Sequence, residues 1–381
     1  MCRVAWGRLL SVLGLAAMVV GAAALPPGVA AQAESLGSAP PWQTEVVDPV
    51  GGRLPSLALD AQGLPHIAYN PRGNLVYARH DGNAWRFETV DDYPAAGWYP
   101  SLALDSLGDP HISYWSANRD YLMYAHHTSG SWRFQTVRTN ADLDCRTALA
   151  LGSDRLPRVL YSDYSAREIT YARRVGAAWE FETVAAFTSG GSSHSFDMVL
   201  DGADRPHVCY FDYDQDHLKY ATRSGGTWQT ETVDDDVFYN GQPCSIALDS
   251  RGRPRIAYRN LDLRYATRGG SGWSVAVVDT AMGAGNNAAL ALDRGDRPHI
   301  AHTNYDRELL YTWFDGLDWQ REVVDTAAQA SRYEDASLAL DRAGRARVAY
   351  WDLGADDLKF AARGGSEPFL PRLHLPLTTR G

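Results

Sequence analysis

The chain repeats one phrase. "SLALDAQGLPHIAYN" begins at Ser56, "SLALDSLGDPHISYW" at Ser101 and "SLALDRAGRARVAYW" at Ser337. A tryptophan opens each unit, at Trp42, Trp85, Trp132, Trp179, Trp228, Trp273 and Trp319, with spacings of 43, 47, 47, 49, 45 and 46 residues. A fixed period of this length restricts architecture more than composition can. Each unit is too small to bury its own apolar faces and has to stack on neighbours.

Four short segments recur in every unit: a Trp segment such as "WRFETV", then "SLALD", "PHIAY" and "LKYA". They alternate apolar with polar residues and favour aromatic and β-branched side chains, which is strand behaviour. No part of the chain after residue 33 shows a 3.6-residue period. Four strands in about 46 residues is the signature of a propeller blade. Each segment occurs seven times, so the expected fold is all-β, a seven-bladed β-propeller with four antiparallel strands per blade.

Segment order adds the closure. If "SLALD" is the innermost strand A, the Trp segment is the outermost strand D. The chain starts with a Trp segment (42–47) and ends with "LKFA" (358–361), so the last blade lacks its own D strand. The N-terminal strand is expected to supply it, a 3+1 closure spanning 42–365. The A–B turn reads as a three-residue hairpin needing positive φ at Gly63, Gly108, Gly252 and Gly344. Asp204, Asp296 and Arg155 hold that place elsewhere under more strain. The recurrent Asp60, Asp105, Asp201, Asp249, Asp293 and Asp341 suit bonding of turn amides.

Flanking segments come next. Residues 1–33 pair an Arg-bearing start with the apolar run "LLSVLGLAAMVVGAAAL" and end in Ala31-Gln32-Ala33, the pattern of a secretory signal. A linker (34–41) precedes the propeller and a Pro-spaced tail (366–381) follows it. The expected location is secreted or at the cell surface, with membrane contact only during export. Loss of Arg3 and Arg8 with the leader carries the formal charge from −10 to −12. Such acidity repels phosphate backbones and argues against a nucleic-acid partner.

Three cysteines follow the leader, too few to pair completely. Cys209 stands where other repeats place Ala or Ser, as a small buried residue would. A Cys145–Cys244 bridge is compatible with the sequence but not required by it. Disulfides are therefore not expected to hold the fold together.

Loops joining D to A and B to C share one face and vary, whereas the A–B and C–D turns are tight and repetitive. Variation on one side of a rigid scaffold marks the binding side. Trp98, Trp115 and Trp351 fall on that face around blade 1, numbering blades by strand A. Blade 1 adds Arg53, Asn70 and Arg72, and neighbouring loops add Tyr93, Tyr99, Arg332, Tyr333, Glu334 and Asp352. Aromatic rings beside Arg, Asn and carboxylates suit a sugar, whose C–H faces stack while its hydroxyls meet polar groups. A glycan or an extracellular protein is the expected partner of a monomeric chain.

Other clusters carry less. Asp212, Asp214 and Asp216 are spaced like a calcium loop, but His217 replaces its Gly and Arg223 its closing Glu. His66, His111, His207 and His299 share one strand-B position with Arg158, Arg255 and Arg347, which reads as structural. No Gly-x-Ser-x-Gly, HExxH, phosphate loop or CxxC occurs, and no cofactor is implied.

Over residues 42–365 the repeat resembles secreted bacterial propellers grouped with sialidase-like or BNR-repeat proteins. In "GRLPSLALD" the resemblance maps a substrate-gripping arginine onto Arg53 and a proline onto Pro55, although Pro100 holds the same repeat position. Arg146 and Arg332 lie on the same side. The Asp boxes of that group are absent, and Tyr333 and Glu334 are neighbours that a strand would point apart. Two functions follow as expectations: a binding propeller or, as the alternative, a sialidase-like glycoside hydrolase.

Overall fold

The computed structural model describes residues 42–140, 146–188, 195–237, 244–326 and 336–364. The expected leader, linker and tail, together with Cys145, Arg332, Tyr333 and Glu334, lie outside the described residues.

Among the described residues the strands form seven antiparallel sheets of four. Blade 1 has strand A at Arg53–Leu59, B at Pro65–Asn70, C at Leu75–His80 and D at Trp85–Asp91. Blades 2 to 6 repeat that order. Blade 7 takes A, B and C from Ala336–Leu340, Ala346–Asp352 and Asp357–Arg363. Its fourth strand is Trp42–Asp48, paired antiparallel from Trp42 opposite Arg363 to Asp48 opposite Leu358. The ends are joined as expected. The only helical element among the described residues is a 3-10 turn at Ala117–Arg119.

The core is distributed. Seven apolar clusters occur, one at each junction between adjacent blades. Leu57, Ile67 and Tyr69 of blade 1, for example, pack on Val47, Leu358 and Phe360 of blade 7. The repeated Trp explains the outer part of each junction. All seven meet the strand-C aromatic of the preceding blade edge-on, with ring centres 5.2–5.9 Å apart. Such pairs contribute about 0.5–1.5 kcal/mol each beyond burial. Four indoles also donate to a glutamate of the preceding D strand, as Trp85 does to Glu45 at 3.1 Å.

Near the axis the junctions are polar. Strand A has no neighbour strand on its inner side, so its N–H groups need other acceptors. The Ser of "SLALD" supplies one across the junction. Ser337 accepts from Leu57 N–H, Ser56 from Leu102, Ser101 from Leu149 and Ser245 from Leu290, at 3.0–3.1 Å. Blade 4 puts Asp197 in this column, and its Oδ2 accepts from Ile246 N–H at 3.0 Å.

Cysteine pairing corrects the sequence expectation. Cys209 and Cys244 form a disulfide across a separation of 35 residues, joining strand B of blade 4 to the entry of strand A in blade 5. At the junction of blades 2 and 3 the same two columns hold Ser113 and Thr147, whose hydroxyls hydrogen-bond at 2.7 Å. The staple occupies a place that the repeat already used for contact. Cys244 is therefore not the partner of Cys145.

Candidate functional site

The tight-turn side accounts for its polar residues internally. Asp60 Oδ1 accepts from Gln62 and Leu64 N–H, both at 2.8 Å, while its Oδ2 lies 3.6 Å from His66 Nε2. His66 Nδ1 is hydrogen-bonded to Tyr77 OH. The same Asp–His–Tyr chain recurs at His111, His207 and His299, and Arg255 and Arg347 bond the turn aspartate instead in blades 5 and 7. Burial pulls all four histidines below the usual imidazole range, His111 to about 4 with help from neighbouring His126. They are neutral parts of the scaffold.

On the loop side, strand A of blades 1, 2 and 6 begins with a bulge. Register slips by one residue between Arg53 and Ser56, between Trp98 and Ser101, and between Asn286 and Ala289. Leu54, Tyr99 and Asn287 accordingly sit at φ of 57°, 50° and 50°. Non-glycine residues seldom adopt this region, bulky ones least. Bulges re-aim side chains and gather beside binding sites.

The sequence-predicted residues divide into reachable and spent. Asn70 is 1% exposed, its amide donating to Ala96 O and its oxygen accepting from Gly73 N–H. Asp352 is 3% exposed, ion-paired to Lys359 at 2.6 Å and capping Gly354 N–H. Trp351 is 4% exposed; its Nε1 donates to Asp356, and the Arg53 guanidinium lies 4.8 Å from its ring centre. It is a floor under Arg53, not the exposed platform expected. Trp115 packs against the core between blades 2 and 3, its Nε1 buried without a hydrogen-bond partner.

Besides the half-buried Trp115, five of the predicted residues remain accessible on blades 1 and 2. Arg72 is exposed and reaches Asp356 at 3.3 Å. Tyr93 is exposed and carries the Arg119 guanidinium 3.7 Å from its ring centre. Arg53, Trp98 and Tyr99 are half-buried, and the Trp98 and Tyr99 ring centres lie 6.2 Å apart. Arg53 Nε is buried without a hydrogen-bond partner.

The calcium-like acids do not converge. Asp212 Oδ1 caps Asp214 N–H, and Asp214 Oδ2 accepts from both the N–H and the hydroxyl of Thr188. Among the described residues no three His, Cys, Asp or Glu side chains form a group that could hold a metal ion.

Sequence reasoning passed over the axis itself. A cavity of about 260 Å³ is lined by residues in or just before strand A of all seven blades, among them Tyr99, Arg146, Asp197 and Asn287. Arg146 and Asp197 are the only charged residues in that described lining. Asp197 accepts from Ile246 N–H, from its neighbour Met198 N–H and from Ser245 Oγ. Burial nevertheless raises its pKa above the ordinary carboxylate value, against the opposing pull of these bonds and of Arg146. Aligning the repeats by column would have exposed it, because Ser or Ala fills that place in the other six.

No protein-family model matches the chain, and no curated protein matches it. Solved structures do resemble it in fold. AofleA from Arthrobotrys oligospora is 12% identical over 74% of this chain and 90% of its own, with a TM-score of 0.54. The Aleuria aurantia lectin bound to Fucα1-6GlcNAc is 11% identical over 74% and 98%, at a TM-score of 0.52. Virginiamycin B lyase from Staphylococcus aureus with quinupristin reaches 0.59 at 10% identity, over 84% and 99%. Identities this low show the fold alone.

Proposed function

We propose that the protein is an exported, non-enzymatic propeller that binds a glycan on the loop side of blades 1 and 2. The observation that carries this reading is the division of labour described above. Residues that could act as hydrogen-bonding machinery, such as Asn70 and Asp352, are buried in loop construction. Arg53, Arg72, Tyr93, Trp98 and Tyr99 stay reachable, three of them on bulged strands. Half-exposed rings beside guanidinium groups suit sugar C–H faces and hydroxyls.

Fold neighbours support the class, since one is a lectin in complex with a fucosylated disaccharide. The Cys209–Cys244 bridge supports export, because such bonds persist in oxidising compartments.

Glycan-array binding by the full chain, compared with Trp98→Ala and Arg53→Ala, tests the proposal. Binding to at least one glycan, lost about tenfold in either variant at an unchanged melting temperature, is expected. An array with no hits, or hits indifferent to both substitutions, would overturn it.

A further inference from the structure

Asp197 is in the wrong column for a scaffold residue. Four blades place Ser there, and each Ser closes the ring by accepting an N–H from the next blade. Asp197 performs the same task toward Ile246, but with a charge that burial disfavours. A neutral hydroxyl already suffices for closure, so the carboxylate answers to something else. That something lies in the cavity it lines, together with Arg146, Tyr99 and Asn287.

We infer that the axial cavity is a binding site for a single neutral sugar ring, recognised by Asp197 and Arg146. The site meets the blade 1–2 surface at Tyr99, which belongs to both, but Arg53 and Trp98 of that surface do not line the cavity. Three features select the ligand class. The first is size: 260 Å³ lies just below the usual range of small-molecule pockets and gives room for one sugar ring.

The second is charge. One carboxylate and one guanidinium give the described lining no net charge, which favours a neutral ligand over an acid sugar. A lone carboxylate is also too little for calcium, which takes six to eight oxygens.

Donor and acceptor placement is the third. Ser56, Ser101 and Ser337 have each used an oxygen lone pair on a neighbouring N–H, which leaves the O–H proton to donate. With Arg146 they form donors for ligand oxygens. Asp197 accepts from ligand hydroxyls, and the half-buried Tyr99 ring offers an apolar face for C–H groups.

Ligand-observed NMR and calorimetry on the full chain test this, with glucose, galactose, mannose and fucose as probes and glucuronate as the charged control. At least one neutral sugar should bind, more tightly than glucuronate. Asp197→Ser, which restores the repeat and its ring bond, should weaken that binding about tenfold or more, as loss of a charge-assisted hydrogen bond does. Arg146→Gln should weaken it similarly, whereas Trp98→Ala should leave it unchanged, which separates this site from the surface proposed above. Absence of any neutral-sugar binding, preference for glucuronate, or undiminished binding in Asp197→Ser and Arg146→Gln would overturn the inference.

Discussion

The two sides of the disc use the same seven repeats for different ends. On the tight-turn side, what recurs is a closed set of partners. Asp60, His66 and Tyr77 reappear as Asp105, His111 and Tyr124, then in blades 4 and 6. On the loop side the informative residues are those that do not recur: Arg53, Trp98, Arg146, Asp197 and Asn287. Repetition there is kept only where it closes the ring or braces a loop. The contrast teaches how to read a repeat protein, in which a recurring polar residue is scaffold until shown otherwise and a unique one in a shared column needs a reason.

That contrast can be broken by experiment. The largest effect should come from deleting Trp42–Asp48, which strips strand Asp357–Arg363 of its outer partner and removes Trp42 from Tyr311 and Val47 from the core. A loss of about 5 kcal/mol or more is expected in thermal or denaturant melts. A truncated chain as stable as the whole would refute the closure.

Next is the staple. Cys209→Ala with Cys244→Ala should cost about 3–4 kcal/mol by loop-closure entropy for a 35-residue separation. Cys209→Ser with Cys244→Thr copies the pair between blades 2 and 3 and should regain about 1 kcal/mol over the alanine double. Equal stability of the two doubles would mean that the columns are not equivalent.

A smaller effect follows from pH. The four strand-B histidines are held neutral in the fold, with pKa values below the unfolded 6.5. The unfolded chain binds more protons in that window, so stability is full above pH 6.5 and falls as the pH drops toward about 4. His111 alone should account for about 3 kcal/mol, read as a flatter pH–stability profile in His111→Phe. An unchanged profile would place its titration outside the scaffold.

The smallest effect concerns the positive-φ turn. Arg155, at φ 60° and reaching Asp105 of the neighbouring blade only as a 3.6 Å pair from an exposed side chain, should gain about 0.5 kcal/mol on replacement by Gly. Asp204, at φ 58°, should instead lose stability in Asp204→Gly, because it accepts from the N–H and hydroxyl of Ser153 in the neighbouring blade. Melting curves showing the same sign for both would contradict the role given to Asp204.

Blade number, strand order, closing strand and the rim position of tryptophan were all legible, because periodicity and alternation are local properties of the chain. So was the structural role of the histidines, since Arg158, Arg255 and Arg347 share their column. What escaped depends on partners in the next blade, as with Ser56 and Leu102 or Cys209 and Cys244. Local pattern does not report such pairs. Trp351 and Asp352 were misjudged because they begin a loop in sequence yet are covered by Arg53 and Lys359 in space. Asp197 was missed for another reason: alternation within one repeat marks a strand, and only comparison down the column shows a carboxylate where Ser or Ala stands elsewhere.

If Asp197 is kept for a ligand, it is kept at some expense to the fold. Its carboxyl is raised in the native state, so the ionised form costs stability above the native pKa and the cost disappears below the unfolded value near 3.8. Thermal melting of Asp197→Ser beside the parent at pH 7 and again near pH 3.5 is the decisive measurement. A melting temperature higher by about 2 °C at pH 7, with the gap closing in acid, is the predicted result. A lower melting temperature at pH 7 would make Asp197 one more ring-closing residue and contradict the claim.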